Sequence, residues 1–262
     1  MRVLCIGDVV SRVGRDMMFK YVDDIKYKEN IDFVIANGEN AAHGNGLTRS
    51  TYDELMRSGV DIITLGNHVW GSLNEIRSVI NHGGNVVRPL NFCGESPGEG
   101  SVVMATKSGV KIAVINLIGQ VFLNYSHNSP FEAVERELER LKQITNIIFV
   151  DFHAEATSEK QAMGFFLDGR VSAVFGTHTH VQTADDMILP NGTGYISDLG
   201  MTGPQISVLG MDKDVVLQKF LNPLPQKFQP ATGKGQFCGC IFDIDEETGL
   251  CIGTERIFIR EK

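Results

Sequence analysis

The chain of 262 residues contains no apolar run approaching 18 residues, so no membrane-spanning helix is expected. Cysteine is sparse: Cys5, Cys93, Cys238, Cys240 and Cys251 make an odd set with no C-x-x-C pair. That usage argues against a disulfide scaffold and predicts reduced, buried thiols in a cytoplasmic protein. No signal-peptide pattern is expected at the start, because Asp8 interrupts the first apolar stretch. Basic residues are outnumbered, 24 against 32 acidic ones, for a net charge of −8. This balance excludes a broad nucleic-acid surface, although bound cations could still reverse the local field around a small anionic substrate. No G-x-G-x-x-G follows the first strand-like stretch, which argues against a dinucleotide-binding fold. Repeats, low-complexity tracts and flexible linkers are also missing, so residues 1–262 are expected to form one domain.

What is present has the character of an α/β chain. The 28 glycines exceed the usual share of about 7% and predict many tight turns. In the first half, RVLCIGD, DFVIANGEN and VDIITLGNH read as strands rich in Val and Ile. Helices are expected between and after them, over about 15–27, 48–57 and 72–80, which implies parallel βαβ units. Thr48 is a candidate N-cap for the second helix and Gly59 its stop. From residue 85 the stretches NVVRPLNF, SVVMAT and VKIAVINLIG read as further strands, with 107–109 as a hairpin turn. A polar loop is expected over 119–129. Phe131, Val134, Leu138 and Leu141 recur at helical spacing, predicting a helix over 130–144. NIIFVDFHAE predicts a strand and 158–167 a helix. VSAVFGTHTH predicts another strand, in which His178 and His180 would share a face. A hairpin around 190–192, a Gly-rich loop SDLGMTGP, and paired strands GQFCGCIFDID and GLCIGTERIFIR complete the chain.

The strand ends share a chemistry. They are Gly7-Asp8, Gly38-Glu39-Asn40, Gly66-Asn67-His68, Phe152-His153 and Gly176-Thr177-His178-Thr179-His180. Open parallel sheets hold ligands beyond the carboxyl ends of their strands, so these residues could converge on one site. Carboxylate, amide and imidazole together suit Mn, Fe, Zn or Co rather than Ca. The inventory is too large for one tetrahedral ion. A carboxylate bridging two ions about 3.5–4 Å apart would use it economically.

These motifs resemble those of the calcineurin-like metallophosphoesterases, which run D-x-H, G-D, G-N-H-[DE], H and G-H-x-H. More narrowly, GDVV…GR, NGENAA, LGNH.W, DFHAEATSEK, GTHTHVQTAD and DLGMTGP, spread over residues 7–204, resemble the bacterial YmdB-like branch of 2′,3′-cyclic-nucleotide phosphodiesterases. Two positions depart from the wider superfamily and follow the branch: Val10 stands where the first-motif histidine would be, and Glu39 where the bridging aspartate would be. The resemblance implies an α/β sandwich of two β-sheets flanked by helices. It implies two divalent metal ions, Fe or Mn first, with Zn, Co or Mg as alternatives. Asp8, Glu39 and His180 would hold the first ion, with Asn40 filling the place of the missing imidazole. Glu39 would bridge to the second, held also by Asn67, His153 and His178. His68 would protonate the leaving oxygen without binding metal. The implied substrate is a 2′,3′-cyclic nucleotide or another phosphodiester, including 3′,5′-cyclic ones, and the implied assembly is a homo-oligomer.

Alternatives remain at this stage. Asp8 could cap a helix, Asn67-His68 could be turn chemistry, His153 could be a core histidine, and His178 and His180 could be edge residues. The same centre would also serve a phosphomonoesterase or nucleotidase, and Val10 leaves room for a weakly catalytic metal-binding regulator. His43 is expected in a solvated turn. His82, His127, Arg12 and Arg15 are expected at the surface, and Phe165 and Phe166 in the core. Trp70 is expected either to stack on a base or to pack beneath the site.

Overall fold

Successive residues of the central strands are mostly apolar, because both faces of each strand are buried. Leu4 and Ile6 pack with helices on one side, while Val3 and Cys5 pack against a second sheet on the other. Val34 and Ala36 alternate with Phe33 and Ile35 in the same way. The computed structural model describes residues 1–80, 85–123 and 127–262. His82 and the centre of the expected 119–129 loop lie outside them.

The elements in chain order are β1 (Arg2–Ile6), β2 (Asp8–Val9), α1 (Ser11–Lys28), β3 (Phe33–Asn37), α2 (Arg49–Arg57), β4 (Ile62–Thr64), α3 (Leu73–Ile80), β5 (Val86–Val87), β6 (Ser101–Ala105), β7 (Lys111–Ile118), α4 (Pro130–Leu141), β8 (Ile148–His153), α5 (Thr157–Leu167), β9 (Ala173–Thr177), β10 (Met187–Ile188), β11 (Gly194–Ile196), β12 (Met201–Pro204), α6 (Lys213–Leu221), β13 (Gly235–Ile244) and β14 (Cys251–Arg260). Among the described residues the strands form two sheets. The eight-stranded one runs β2-β12-β13-β1-β3-β4-β5 with β14 on β13, and the six-stranded one runs β10-β11-β9-β8-β7-β6. β1, β3, β4 and β5 are parallel, as are β7, β8, β9 and β11. Parallel strands end on the same side, so each sheet presents a row of carboxyl ends.

Helices α1, α2 and α3 cover the outer face of the first sheet through Met17, Met18, Val22, Leu55, Ile76 and Val79. Helices α4 and α5 cover the second through Val134, Leu138, Leu141, Met163 and Leu167. Between the sheets lie Val3, Phe33, Ile62, Val114, Phe149 and Phe242; Phe149 and Phe242 meet edge-to-face with ring centroids 6.1 Å apart. Fully burying each such side chain contributes about 1.5–3 kcal/mol. The expected sandwich of two sheets flanked by helices is therefore observed. Among the described residues no helix is long and apolar enough to cross a membrane.

The local signals hold where turn and cap chemistry is strong. Thr48 caps α2 in a reciprocal pair with Thr51, and Gly59 follows it at φ 97°. Both expected hairpins form, β6–β7 and β10–β11. Other expectations need correction. SDLGMTGP contains strand β12, which joins β2 to β13. Helix α6 has no counterpart among the expected elements; Asp212 caps it by accepting from Asp214 N and Val215 N, but only Val216 is buried, so it carries almost no apolar periodicity. Phe165 and Phe166 are exposed, because Met163, Gly164 and Leu167 form the buried face of α5. Cys93 is exposed, unlike the other four thiols. Arg15 is not solvated: it pairs with Glu54 at 2.5 Å and donates to Ala41 O. His127 is half-buried, donating from Nε2 to Gly119 O at 2.6 Å. Trp70 is partly buried against the core of the first sheet, its ring centroid 6.0 Å from that of Phe92.

Candidate metal centre

The carboxyl ends of the two sheets meet, and the expected residues meet with them. Asp8 follows β1, Glu39 and Asn40 follow β3, and Asn67 and His68 follow β4. His153 closes β8 of the other sheet, and His178 and His180 follow β9. Asp8, Glu39, Asn40 and His153 are all buried. Glu39 Oε1 lies 3.2 Å from His153 Nε2 and 3.6 Å from His68 Nδ1, while its Oε2 accepts from His68 N at 2.9 Å. Asn67 Oδ1 lies 2.8 Å from His153 Nε2. Asp8 Oδ1 lies 3.5 Å from His180 Nε2, and Asp8 Oδ2 accepts from His178 N at 3.0 Å. Asn40 joins the halves: Nδ2 lies 3.4 Å from both Asp8 Oδ1 and Glu39 Oε1 and 3.3 Å from His180 Nε2, while Oδ1 meets His68 Nδ1 at 2.8 Å. Asp8 therefore caps no helix; the N-cap of α1 is Val10, which makes no side-chain cap.

The histidine pair departs from the strand geometry expected of it. β9 ends at Thr177, and His178 and His180 adopt φ of 96° and 63°. They are not alternate positions of one extended strand, and their rings serve different neighbours. The His178 ring sits 4.7 Å from that of His153, with Nε2 2.9 Å from Glu155 Oε2. His180 sits by Asp8, with Nδ1 donating to Leu209 O at 3.1 Å. A clamp holds this left-handed stretch in place. Asp198 accepts from Thr179 N and from Lys160 Nζ, at 3.1 and 2.8 Å, and Lys160 and Asp198 are both buried.

Burying two carboxylates in one place needs compensating positive charge. Burial opposes ionisation of Asp8, yet the imidazolium of His180 holds its carboxyl well below the usual range. Burial likewise opposes the charge on Glu39, and His153 beside it outweighs that cost. The partners move the other way: against desolvation, Asp8 lifts His180 to about 9 and Glu39 raises His153. His178 is pushed down to about 3 by burial and then by the neighbouring His153. Glu155 does not prevent this, since it is half-exposed and screened by solvent. A neutral imidazole is the form that ligates a metal. Glu39, His153 and His178 present ligand atoms all within 4.8 Å of one another, a group able to hold an ion. Oxygen and imidazole donors in this mixture fit a divalent transition ion.

Several contributing residues lie outside the expected set. Asn37, Thr64 and Asp151 each lie two positions before a strand-end residue, Glu39, Gly66 and His153, and Asp151 points to the same side of β8 as His153. Asp151 accepts from Thr177 Oγ1 at 2.7 Å, from Asn37 Nδ2 at 3.2 Å and from Thr64 Oγ1. Burial lifts Asp151 to about 6 despite the opposing pull of His153. The period-two polar residues within otherwise apolar strands were the available signal. Gly66 is needed for a different reason: a Cβ there would collide with Glu39 Oε2 and His153 Nε2.

Comparison with known proteins agrees with this fold. The chain is 49% identical over 261 residues to a protein of Bacillus subtilis (strain 168) named 2′,3′-cyclic-nucleotide 2′-phosphodiesterase, covering 100% of this chain and 98% of that one. A crystal structure from Mycoplasma pneumoniae, described as a novel phosphatase, superposes with a TM-score of 0.93 at 37% identity, covering 99% of this chain and 93% of that one. A 5′-nucleotidase precursor from Thermus thermophilus has a TM-score of 0.59 at 12% identity, covering 99% of this chain and 54% of that one. That last likeness speaks for the fold alone. The profile of the family described as YmdB-like protein matches residues 4–257, and the chain belongs to that family.

Proposed function

We propose that this protein is a phosphodiesterase that hydrolyses 2′,3′-cyclic nucleotides with two divalent metal ions. The observation that carries the reading is the meeting of Asp8 and Glu39, both buried, with His153, His178 and His180 at the carboxyl ends of both sheets. Asp8, Glu39, Asn40 and His180 would hold one ion, the Asn40 amide turning to offer its oxygen. Glu39, Asn67, His153 and His178 would hold the other. Fe and Mn match these donors best, with Zn, Co and Mg as alternatives. Divalent ions bound there would supply Lewis-acid charge and bring the pKa of water toward about 7.

The chain's own side chains account for the remaining steps. Asp8 and Glu39 together carry −2, so a pair of divalent ions leaves the centre positive and suited to an anionic phosphate. His68 Nδ1 lies 2.8 Å from the Asn40 side-chain amide, whose nitrogen would donate to it once that amide is turned, and the His68 side chain is 39% exposed. Its Nε2 is thereby left to give a proton to the departing 2′ oxygen, worth about 10²–10⁴ in rate. Loss of the 2′ oxygen leaves a 3′-phosphate. Residues 1–262 act as one unit in this reading, since both sheets build one centre. The four buried thiols support a cytoplasmic location.

The test is turnover of 2′,3′-cyclic nucleotides and bis-p-nitrophenyl phosphate by the Mn- or Fe(II)-loaded protein. No turnover above buffer, with metal shown to be bound, would defeat the reading. A second reading is a phosphomonoesterase, favoured by the description of the Mycoplasma pneumoniae structure as a phosphatase. Faster turnover of nucleoside monophosphates than of cyclic diesters would select it. The 3′,5′-cyclic nucleotides belong in the same panel.

A further inference from the structure

Beneath the strand ends lies a buried polar girdle that touches no solvent. Asn37, Thr64, Asp151 and Thr177 are each 0% exposed, and they come from β3, β4, β8 and β9, two strands from each sheet. Such groups are costly to bury unless each hydrogen bond has a defined direction.

The directions can be assigned from proton bookkeeping. Asn37 Oδ1 accepts from Glu39 N at 3.2 Å, so the other end of its amide donates to Asp151 Oδ2. Thr64 Oγ1 donates to the same oxygen. Thr177 Oγ1 has one proton, and it donates that proton to Asp151 Oδ1 at 2.7 Å. The same hydroxyl oxygen lies 2.9 Å from His153 Nδ1 and has no second proton to give. It must accept there, so Nδ1 carries the hydrogen. His153 Nε2 faces two acceptors, Glu39 Oε1 at 3.2 Å and Asn67 Oδ1 at 2.8 Å, so without an ion it carries a proton that an ion would displace. A cation at that point, a proton or a metal ion, satisfies all three groups.

We infer that Asp151 and Thr177 are positioning residues: the chain Asp151–Thr177–His153 fixes the imidazole in the tautomer whose Nε2 can ligate an ion. The inference rests on the proposed role of His153 as a ligand and goes beyond it, since neither Asp151 nor Thr177 touches ion or substrate. Asn37 extends the same arrangement to Glu39 by accepting from its backbone N–H, so one buried carboxylate orients residues of both sheets.

The test uses the full chain loaded with Zn, a diamagnetic probe, and three proteins: wild type, Thr177→Val and Thr177→Ser. Valine keeps the shape and removes the hydroxyl; serine restores it. Elemental analysis and calorimetry read ion affinity, and long-range ¹H–¹⁵N spectra read which His153 nitrogen carries the proton. The expected result is Nδ1 protonated and Nε2 metal-bound in wild type. Thr177→Val should weaken one ion by about 10–100-fold, and Thr177→Ser should bring it back. Zn on the wild type with Nδ1 bare, or Thr177→Val binding as tightly as wild type, overturns the inference. Failure of the wild type to bind Zn at all overturns the metal reading instead. Should Thr177→Val not fold, the wild-type tautomer decides the inference by itself.

Discussion

Glu39 Oε1 lies 3.2 Å from His153 Nε2, although Glu39 follows β3 of one sheet, His153 ends β8 of the other, and they are 114 positions apart in sequence (153 − 39). The site therefore exists only when the two sheets are packed together, and Glu39 is a point where they touch.

Glu39→Ala should remove the shared carboxylate and lower the metal content from two ions per chain to one or none. Asp8→Ala and His178→Ala should each lose one ion. Elemental analysis after desalting checks all three, and a Glu39→Ala protein retaining two ions per chain would contradict the bridging role.

His68→Ala should keep its metal, because in the proposed mechanism His68 is the proton donor rather than a ligand. Turnover of cyclic nucleotides should fall by about 10²–10⁴. Activated nitrophenyl esters should lose less, since their leaving group needs little protonation. Equal losses on both substrates would count against the acid role.

Metal uptake should depend on pH. In the ion-free protein His180 holds its proton up to about 9, and an ion binding there must displace it. Below pH 9 uptake should release a proton, and affinity should weaken about tenfold per unit as pH falls. Calorimetry in buffers of different ionisation enthalpy measures the released proton. Affinity that stays constant between pH 7 and 9 would refute the displacement.

Lys160→Ala should leave Asp198 buried without its cation. Removing one partner of such a pair costs about 3–5 kcal/mol, read by denaturant unfolding. The clamp on Thr179 would loosen as well, so ion content should fall with stability. A variant as stable as wild type would show that the pair contributes little.

The layers and most elements were legible in the sequence because the strands are apolar on both faces and the turns carry Gly, Thr and Asn at positions that demand them. The strand-end residues that meet in the candidate site were legible because Gly precedes polar residues at several exits. What stayed hidden depends on packing between elements. His178 and His180 looked like alternate residues of one strand, yet Thr179, bonded to Asp198 and Lys160, pulls the chain into left-handed backbone after Thr177. Helix α6 shows no apolar stripe, since Leu217, Phe220 and Leu221 are exposed. Asp151 and Thr177 lie inside strand runs, and only the meeting of the two sheets reveals what they hold.

Crystals soaked with Mn and measured for anomalous scattering test the central claim most directly. Two peaks are predicted, one touching Asp8 and His180, the other His153 and His178, with Glu39 reaching both. A single peak, or peaks away from Glu39, would contradict the two-ion centre.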